Sequence, residues 1–173
     1  MTGGADFGRL SRQWAHWSGL ARLREVSVTT LCEDCDVLFS SSDYAVHLRS
    51  VGGRWFVDTV DDRGQRQNDT ATFSSYQLAE KYLIWIWGSA ARSVLRTPIL
   101  GRELYALGFA SGVEAIPISE GIYELRSPDG TAMLMEPYAT IFSHLMHTSE
   151  ERIEQMLAAD IGLEKRHTVN SSD

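Results

Sequence analysis

Two cysteines separated by two residues are the first feature of this sequence that could do chemistry. Cys32 and Cys35 enclose an acidic pair in the run Cys-Glu-Asp-Cys, a spacing that suits two thiolate ligands of zinc or a redox dithiol. Zinc needs four ligands, and His144 and His147, three residues apart on one predicted helix, are candidates for the other two. The acidic residues between the cysteines disfavour the thiolate that redox chemistry requires. The pair is predicted to be structural or incidental, with a zinc site as the alternative.

The remaining histidines lack the neighbours that nucleophilic catalysis needs. His16 lies between two tryptophans and His47 lies inside a predicted strand, and neither has a serine, cysteine or aspartate at a recognisable spacing. The sequence also contains no G-x-S-x-G, P-loop, H-E-x-x-H or G-x-G-x-x-G motif. These observations are a hint toward a protein that binds a partner rather than one that catalyses a reaction, and we expect no cofactor and no small-molecule substrate.

An acidic cluster at the end of one predicted strand is the first candidate binding loop. Asp58, Asp61 and Asp62 are followed by Arg63 and Gly64, a composition typical of a polar turn. The spacing does not match that of a calcium-binding loop. We therefore expect this loop to hold no metal and to present negative charge at the surface.

A second candidate loop is the turn Ser-Pro-Asp-Gly at residues 127–130, between two strand-like runs. Pro128 presets its backbone φ, Asp129 can bond its own backbone, and Gly130 tolerates the reversal of the chain. The sequence therefore predicts a β-hairpin with an acidic residue at its tip.

The overall charge excludes one class of partner. The chain has 173 residues, 16 Lys+Arg and 23 Asp+Glu, a net charge of -7 and a pI near 5.2. Binding to nucleic acid depends on clustered lysine and arginine, so no nucleic-acid partner is expected. The negative charge concentrates in residues 31–70, with eight acids against four bases, and in residues 111–173, with eleven against four. Such regions would complement a basic protein surface.

Targeting signals are missing from the sequence. The first residues have neither a basic n-region nor an apolar h-region. The longest strongly apolar run, 82–87, is far shorter than the roughly 20 residues of a membrane span. Two cysteines do not form an extracellular disulfide framework. We expect a cytoplasmic protein with no membrane partner.

Short β-prone runs follow a first helix in the N-terminal half. An apolar stripe predicts a helix over about 6–19, and runs at 25–31, 36–40, 44–51 and 54–60 are rich in β-branched and aromatic residues. A Gly-Gly pair between the last two runs allows the positive φ of a tight hairpin. This half is predicted to be an antiparallel meander.

The clearest local signal marks a central helix. Ser74 and Gln77 form an S-x-x-Q capping box, and the run at 82–87 is apolar almost all round, which is typical of a helix buried on several sides. Two C-terminal helices follow, one over 138–146 and one that begins with a capping box at Thr148.

Together these elements predict an α+β fold. A single domain over residues 1–167 packs an antiparallel β-meander on a central hydrophobic helix, with N- and C-terminal helices and a frayed tail at 168–173.

Three linked motifs resemble those of a known family. They are Trp-Ala-His-Trp-Ser-Gly at 14–19, Gly-Arg-Trp-Phe-Val at 53–57 and Ala-Glu-Lys-Tyr-Leu at 79–83, the last followed by Gly88 and by Arg-Ser at 92–93. The set is similar to that of the immunity factor of the tuberculosis necrotizing toxin, the immunity protein 61 family of bacterial polymorphic toxin systems. The resemblance covers about residues 9–135 and is strongest over 53–93.

The resemblance implies a small cytoplasmic α+β antitoxin without enzymatic activity. The family's namesake binds a secreted NAD⁺ glycohydrolase domain and blocks its NAD-binding cleft, so this chain would bind a cognate secreted toxin domain, with 1:1 stoichiometry, and no NAD itself. The two cysteines depart from the family pattern.

Occlusion of a cleft built for an anionic dinucleotide requires a protruding, negatively charged loop. The expected toxin contacts are the two candidate loops: Asp58, Asp61, Asp62, Arg63, Pro128, Asp129 and Gly130. Two other functions stay open, a small metal-binding enzyme using the cysteines and histidines, and a generic cytoplasmic adaptor protein.

Overall fold

A computed structural model describes residues 4–30 and 32–161. The helices are α1 (Gly8–Leu20), α2 (Tyr76–Val94), α3 (Leu100–Ala106), α4 (Tyr138–Ser143) and α5 (Glu150–Ala158). The strands are β1 (Ser27–Thr30), β2 (Val37–Ser40), β3 (Ala45–Val51), β4 (Arg54–Val60), β5 (Arg66–Phe73), β6 (Glu114–Ser119), β7 (Ile122–Ser127) and β8 (Gly130–Met135). The α+β fold class is confirmed, while the predicted boundary at 167 and the tail at 168–173 lie outside the described residues.

The strands form one antiparallel sheet of eight in the order β1-β2-β3-β4-β5-β8-β7-β6. The first four strands are the meander that the sequence predicts, and β5 continues it by one strand. Residues 71–73 of β5 then pair with residues 132–134 of β8, so the C-terminal hairpins extend the same sheet in reverse order. Strand β5 therefore joins the two halves of the molecule.

The central helix α2 covers one face of this sheet. It begins after Ser75, whose hydroxyl accepts a hydrogen bond from the backbone N–H of Leu78 at 3.3 Å. Helices α1 and α5 both pack against α2. The core between α1, the sheet and α2 is aromatic, with Trp87 4.9 Å from Phe39 and 5.0 Å from Trp14 between ring centroids. No helix in the described ranges is long and apolar enough to cross a membrane.

Helices α2 and α5 approach each other closely at Gly88. A Cβ built on Gly88 would lie 2.5 Å from a methyl group of Leu157, so any larger residue there would force the Leu157 side chain to move. One turn further, the buried guanidinium of Arg92 donates hydrogen bonds to the carbonyl oxygens of Leu157, Ala159 and Pro98. The bonds to Leu157 and Ala159 satisfy carbonyls at the C-terminal end of α5, which have no partner within the helix.

The two predicted capping boxes are each one residue early. Ser75, not Ser74, caps α2, because the Ser74 hydroxyl accepts a hydrogen bond from the backbone N–H of Thr131 at 2.8 Å instead. Ser149, not Thr148, caps α5 and accepts from Arg152. Neighbouring hydroxyl residues are equivalent as caps by type, and tertiary contacts decide between them.

Two elements have no counterpart in the sequence prediction. Strand β5 reads Arg-Gln-Asn-Asp-Thr-Ala-Thr-Phe, a polar run without the alternation of a half-buried strand. Helix α3 has only seven residues and no fully buried side chain, and it contacts the core through the partly buried Leu100 and Leu104.

Candidate functional site

The turn between β4 and β5 is a preorganised acidic loop. The Asp61 carboxylate accepts hydrogen bonds from the backbone N–H groups of Arg63 at 2.9 Å and Gln65 at 2.8 Å. The Asp61 backbone also bonds to Gln65 and Gly64. Asp61, Asp62 and Arg63 are all exposed. The loop therefore presents its charged side chains on a backbone that is already fixed, which lowers the entropy cost of binding.

Asp58 does not belong to this exposed loop, contrary to its predicted position. It lies inside β4 beside a β-bulge and is 0% exposed. Its carboxylate accepts hydrogen bonds from Arg49 Nε at 3.0 Å, Arg66 at 2.8 Å and the backbone N–H of Asp69 at 2.8 Å. Burial alone would raise the pKa of Asp58, but these hydrogen bonds outweigh it and lower the pKa below its ordinary value. Asp58 thus anchors two arginines to the outer face of the sheet.

The second predicted loop, the turn between β7 and β8, is more closely tied to the body of the protein. Pro128 and Asp129 are exposed at its tip, and the Asp129 carboxylate contacts Nδ1 of His147. Gly130 has φ +132, and a Cβ there would lie 2.4 Å from the Ser74 hydroxyl oxygen. The glycine is therefore required by a close approach between this turn and the start of α2.

The two loops lie at opposite ends of the sheet. The β4–β5 turn precedes Arg66 at one end of β5, whereas Gly130 begins β8 beside Phe73 at the other end. Strand β5 has eight residues, which at about 3.3 Å per residue separates the two ends by roughly 25 Å. One narrow cleft therefore accommodates one of these turns and not both.

A second acidic turn accompanies the β4–β5 turn at its end of the sheet. Ala45 pairs with Val60, so the β2–β3 turn, which carries the exposed Asp43, lies beside the β4–β5 turn. Its backbone is also fixed, because the Ser41 hydroxyl accepts hydrogen bonds from the N–H groups of Asp43 and Tyr44. We call Asp43, Asp61 and Asp62 the acidic edge.

The outer face of the sheet, opposite α2, carries the cysteine pair. Cys32 and Cys35 form a disulfide. One ligand-type atom from each of Asp34, Cys35 and His47 lies within 4.8 Å of the other two. Asp34 is held by a 2.6 Å bond from Arg66 to its Oδ2 atom.

His144 and His147, the candidate ligands of the alternative zinc site, make other contacts. Nε2 of His144 lies 2.7 Å from the carbonyl oxygen of Gly108, and His147 contacts Asp129. The structure brings His47 to the cysteine loop instead. Sequence reasoning placed His47 in its strand but had no information on which loop crosses that strand.

The environment of His47 favours a neutral imidazole. Burial and the nearby Arg66 lower the pKa of His47. Its Nδ1 atom is buried and has no hydrogen-bond partner among the described residues, and the Asp34 Oδ1 atom is 3.7 Å away. A neutral imidazole nitrogen in this position is free to accept a proton or to ligate a cation.

The comparisons with known proteins agree with the sequence motifs. A family model described as Immunity protein 61 matches residues 20–162, a range that contains all eight strands and helices α2 to α5. No curated protein sequence matches the chain. The solved structure of Rv3902c from M. tuberculosis is similar with a TM-score of 0.66 and 16% sequence identity, and the match covers 91% of each chain. At that identity, the structural likeness concerns the fold alone.

Proposed function

The chain belongs to the immunity protein 61 family, and on that premise we propose that it acts in the cytoplasm as an antitoxin without enzymatic activity. It binds a cognate toxin domain in a 1:1 complex and neutralises the toxin by covering its active site. The observation that carries this proposal is the family match over residues 20–162, which spans the whole sheet and its central helix.

The proposed target is an NAD⁺ glycohydrolase domain. A cleft that binds a dinucleotide must attract two phosphates, so it concentrates positive potential. The acidic edge of this protein has complementary charge and lies on two fixed turns. Complementary charge of this kind raises the association rate and selects the partner.

The β4–β5 turn is the better of the two loops for insertion into such a cleft. Asp61 fixes the backbone while Asp62 and Arg63 point outward as exposed contacts, and Asp43 adds negative charge at the same end of the sheet. In the other turn, the Asp129 carboxylate already contacts His147, so it is less available to a partner.

Co-expression with the toxin domain encoded beside this chain tests the function. Cells that produce the active toxin should survive and keep their NAD only when this chain is present, and the two purified proteins should co-elute as a 1:1 complex. Survival without preserved NAD would refute the glycohydrolase target but would still support an antitoxin function. Failure to bind the toxin at all would refute the proposal.

A matched pair of charge reversals tests which turn is inserted. Asp62→Lys should slow association with the toxin roughly tenfold at low salt, with less effect at high salt, because exposed charges steer the encounter. Asp129→Lys makes the same charge change at the opposite end of the sheet and should leave the rate nearly unchanged. If only Asp129→Lys slows association, the turn at Pro128, Asp129 and Gly130 contacts the toxin instead.

A further inference from the structure

We propose that the reduced protein binds one Zn²⁺ ion on the outer face of the sheet, through the Sγ atoms of Cys32 and Cys35, Nδ1 of His47 and Oδ1 of Asp34. The site is distinct from the acidic edge, and its assignment does not depend on the proposed toxin.

The arrangement supplies the number and kinds of ligand that zinc requires. Structural zinc is bound tetrahedrally by thiolates, imidazoles and carboxylates, commonly with two cysteines in a C-x₂-C spacing. Bonds of about 2.0–2.3 Å place tetrahedral ligands roughly 3.3–3.8 Å apart. The ligand atoms of Asp34, Cys35 and His47 already lie within 4.8 Å of one another, and Cys32 is adjacent to Cys35 through the disulfide. A contraction of about 1 Å by side-chain rotation completes the geometry.

An unsatisfied nitrogen points to a missing partner at this position. His47 Nδ1 is buried and lacks a hydrogen-bond partner among the described residues, although buried polar atoms are rarely left unpaired. The nearest acidic oxygen, Oδ1 of Asp34, is 3.7 Å away, beyond hydrogen-bond distance. A zinc ion between the two atoms would satisfy both.

Arg66 supports the site from outside the ligand shell. It donates to Oδ2 of Asp34 at 2.6 Å and to Asp58 at 2.8 Å, which leaves Oδ1 of Asp34 turned toward His47. Partners that orient a ligand in this way are a regular feature of metal sites.

The disulfide and the zinc site are two redox states of the same cysteines. A thiol reductant converts the disulfide to two thiols and is itself oxidised to a disulfide, with transfer of two electrons and two protons. Zinc then displaces the two thiol protons and binds both thiolates. In the reverse direction, oxidised glutathione takes two electrons from the thiolates, so the disulfide re-forms, two glutathione thiolates are produced and zinc leaves. In a reducing compartment the dithiol state prevails.

Metal titration of the full chain tests the site. The protein is reduced with a phosphine, separated from metal, and titrated with Zn²⁺ or Co²⁺ alone. We expect about one Zn²⁺ per chain, visible absorption typical of tetrahedral cobalt with thiolate ligands, and release of the metal by oxidised glutathione.

Three variants distinguish a zinc site formed by all four ligands from zinc binding by the two thiolates alone. His47→Gln should weaken zinc binding by about 100-fold or more and Asp34→Asn by about tenfold, whereas His16→Gln, at an exposed position on α1, should bind as the wild type does. Asp34 is exposed, so its variant is expected to fold even if His47→Gln does not. Absence of zinc from the reduced wild type, six-coordinate cobalt, or unchanged affinity in both ligand variants would overturn the proposal.

Discussion

Replacement of Asp58 by asparagine tests whether a buried carboxylate organises the outer face of the sheet. Asp58→Asn keeps the shape of the side chain and removes its charge. Hydrogen bonds to a charged group contribute about 1.5–3 kcal/mol each, against about 0.5–1.5 kcal/mol for neutral pairs. Asp58 accepts four such bonds, two from Arg49 and one each from Arg66 and the backbone of Asp69. Both arginines are partly exposed and regain water, so we expect a loss of about 2–3 kcal/mol in the free energy of unfolding.

Urea denaturation followed by tryptophan fluorescence measures this loss at pH 7. For a chain of this length, the corresponding fall in Tm is roughly 4–12 °C. The matched control is Asp62→Asn, an exposed aspartate four residues further along, which should change the free energy of unfolding by less than about 0.5 kcal/mol. Equal stability of Asp58→Asn and wild type would refute the anchoring role of Asp58.

The pH dependence of the same comparison has a definite sign. The pKa of Asp58 is lower in the folded protein than its ordinary value, so its contribution is complete above the unfolded pKa of about 3.9 and is lost as pH falls through the folded pKa. The stability difference between wild type and Asp58→Asn should therefore shrink below about pH 4. A difference that stays constant down to acid pH would show that shape, and not charge, is responsible.

Three further substitutions test the packing of α2, each by urea denaturation. Gly88→Ala should destabilise by about 1–3 kcal/mol because the new methyl group meets Leu157, whereas Gly19→Ala, where a Cβ has open space, should be neutral or stabilise by up to about 1 kcal/mol. Arg92→Met should cost about 3 kcal/mol because it leaves buried carbonyls without donors; a cost below about 1 kcal/mol would show that water replaces the guanidinium. Ser75→Ala should cost about 1 kcal/mol as a lost N-cap, and unchanged stability would contradict the cap assignment.

Local sequence patterns predict the elements that carry their own capping residue, their own turn residues or a clear run of apolar side chains. Helix α2 has a hydroxyl cap and a nearly continuous apolar run, and strands β2 to β4 have β-branched residues and a Gly-Gly turn. Strand β5 escapes prediction because its first four residues are polar and exposed. Arg66 binds Asp34 and Asp58, and only the last three residues, 71–73, are fully buried. Which residues contact and cover β5 depends on the tertiary structure, and no local sequence pattern contains this information.

The same distinction between local and tertiary information applies to the candidate site. The two acidic turns are visible in the sequence because turn chemistry is local. Their separation by the length of β5 is not visible, because it depends on β8 pairing beside β5. Likewise the cysteine spacing is a local signal, but the choice of His47 over His144 depends on the loop before β2 crossing to β3.

The structure also changes what the charge of the N-terminal acidic region means. Of its eight acids, Asp34, Asp58 and Asp69 form ion pairs with Arg49 and Arg66, so these acids add little net field outside the protein. Asp36 is engaged by the backbone and hydroxyl of Ser50. Of the remaining four acids, Glu33 is exposed between the two cysteines, and the other three, Asp43, Asp61 and Asp62, form the acidic edge. A basic cleft would therefore be attracted to one end of the sheet and not to its whole outer face, which is the physical reason for expecting a single inserted turn.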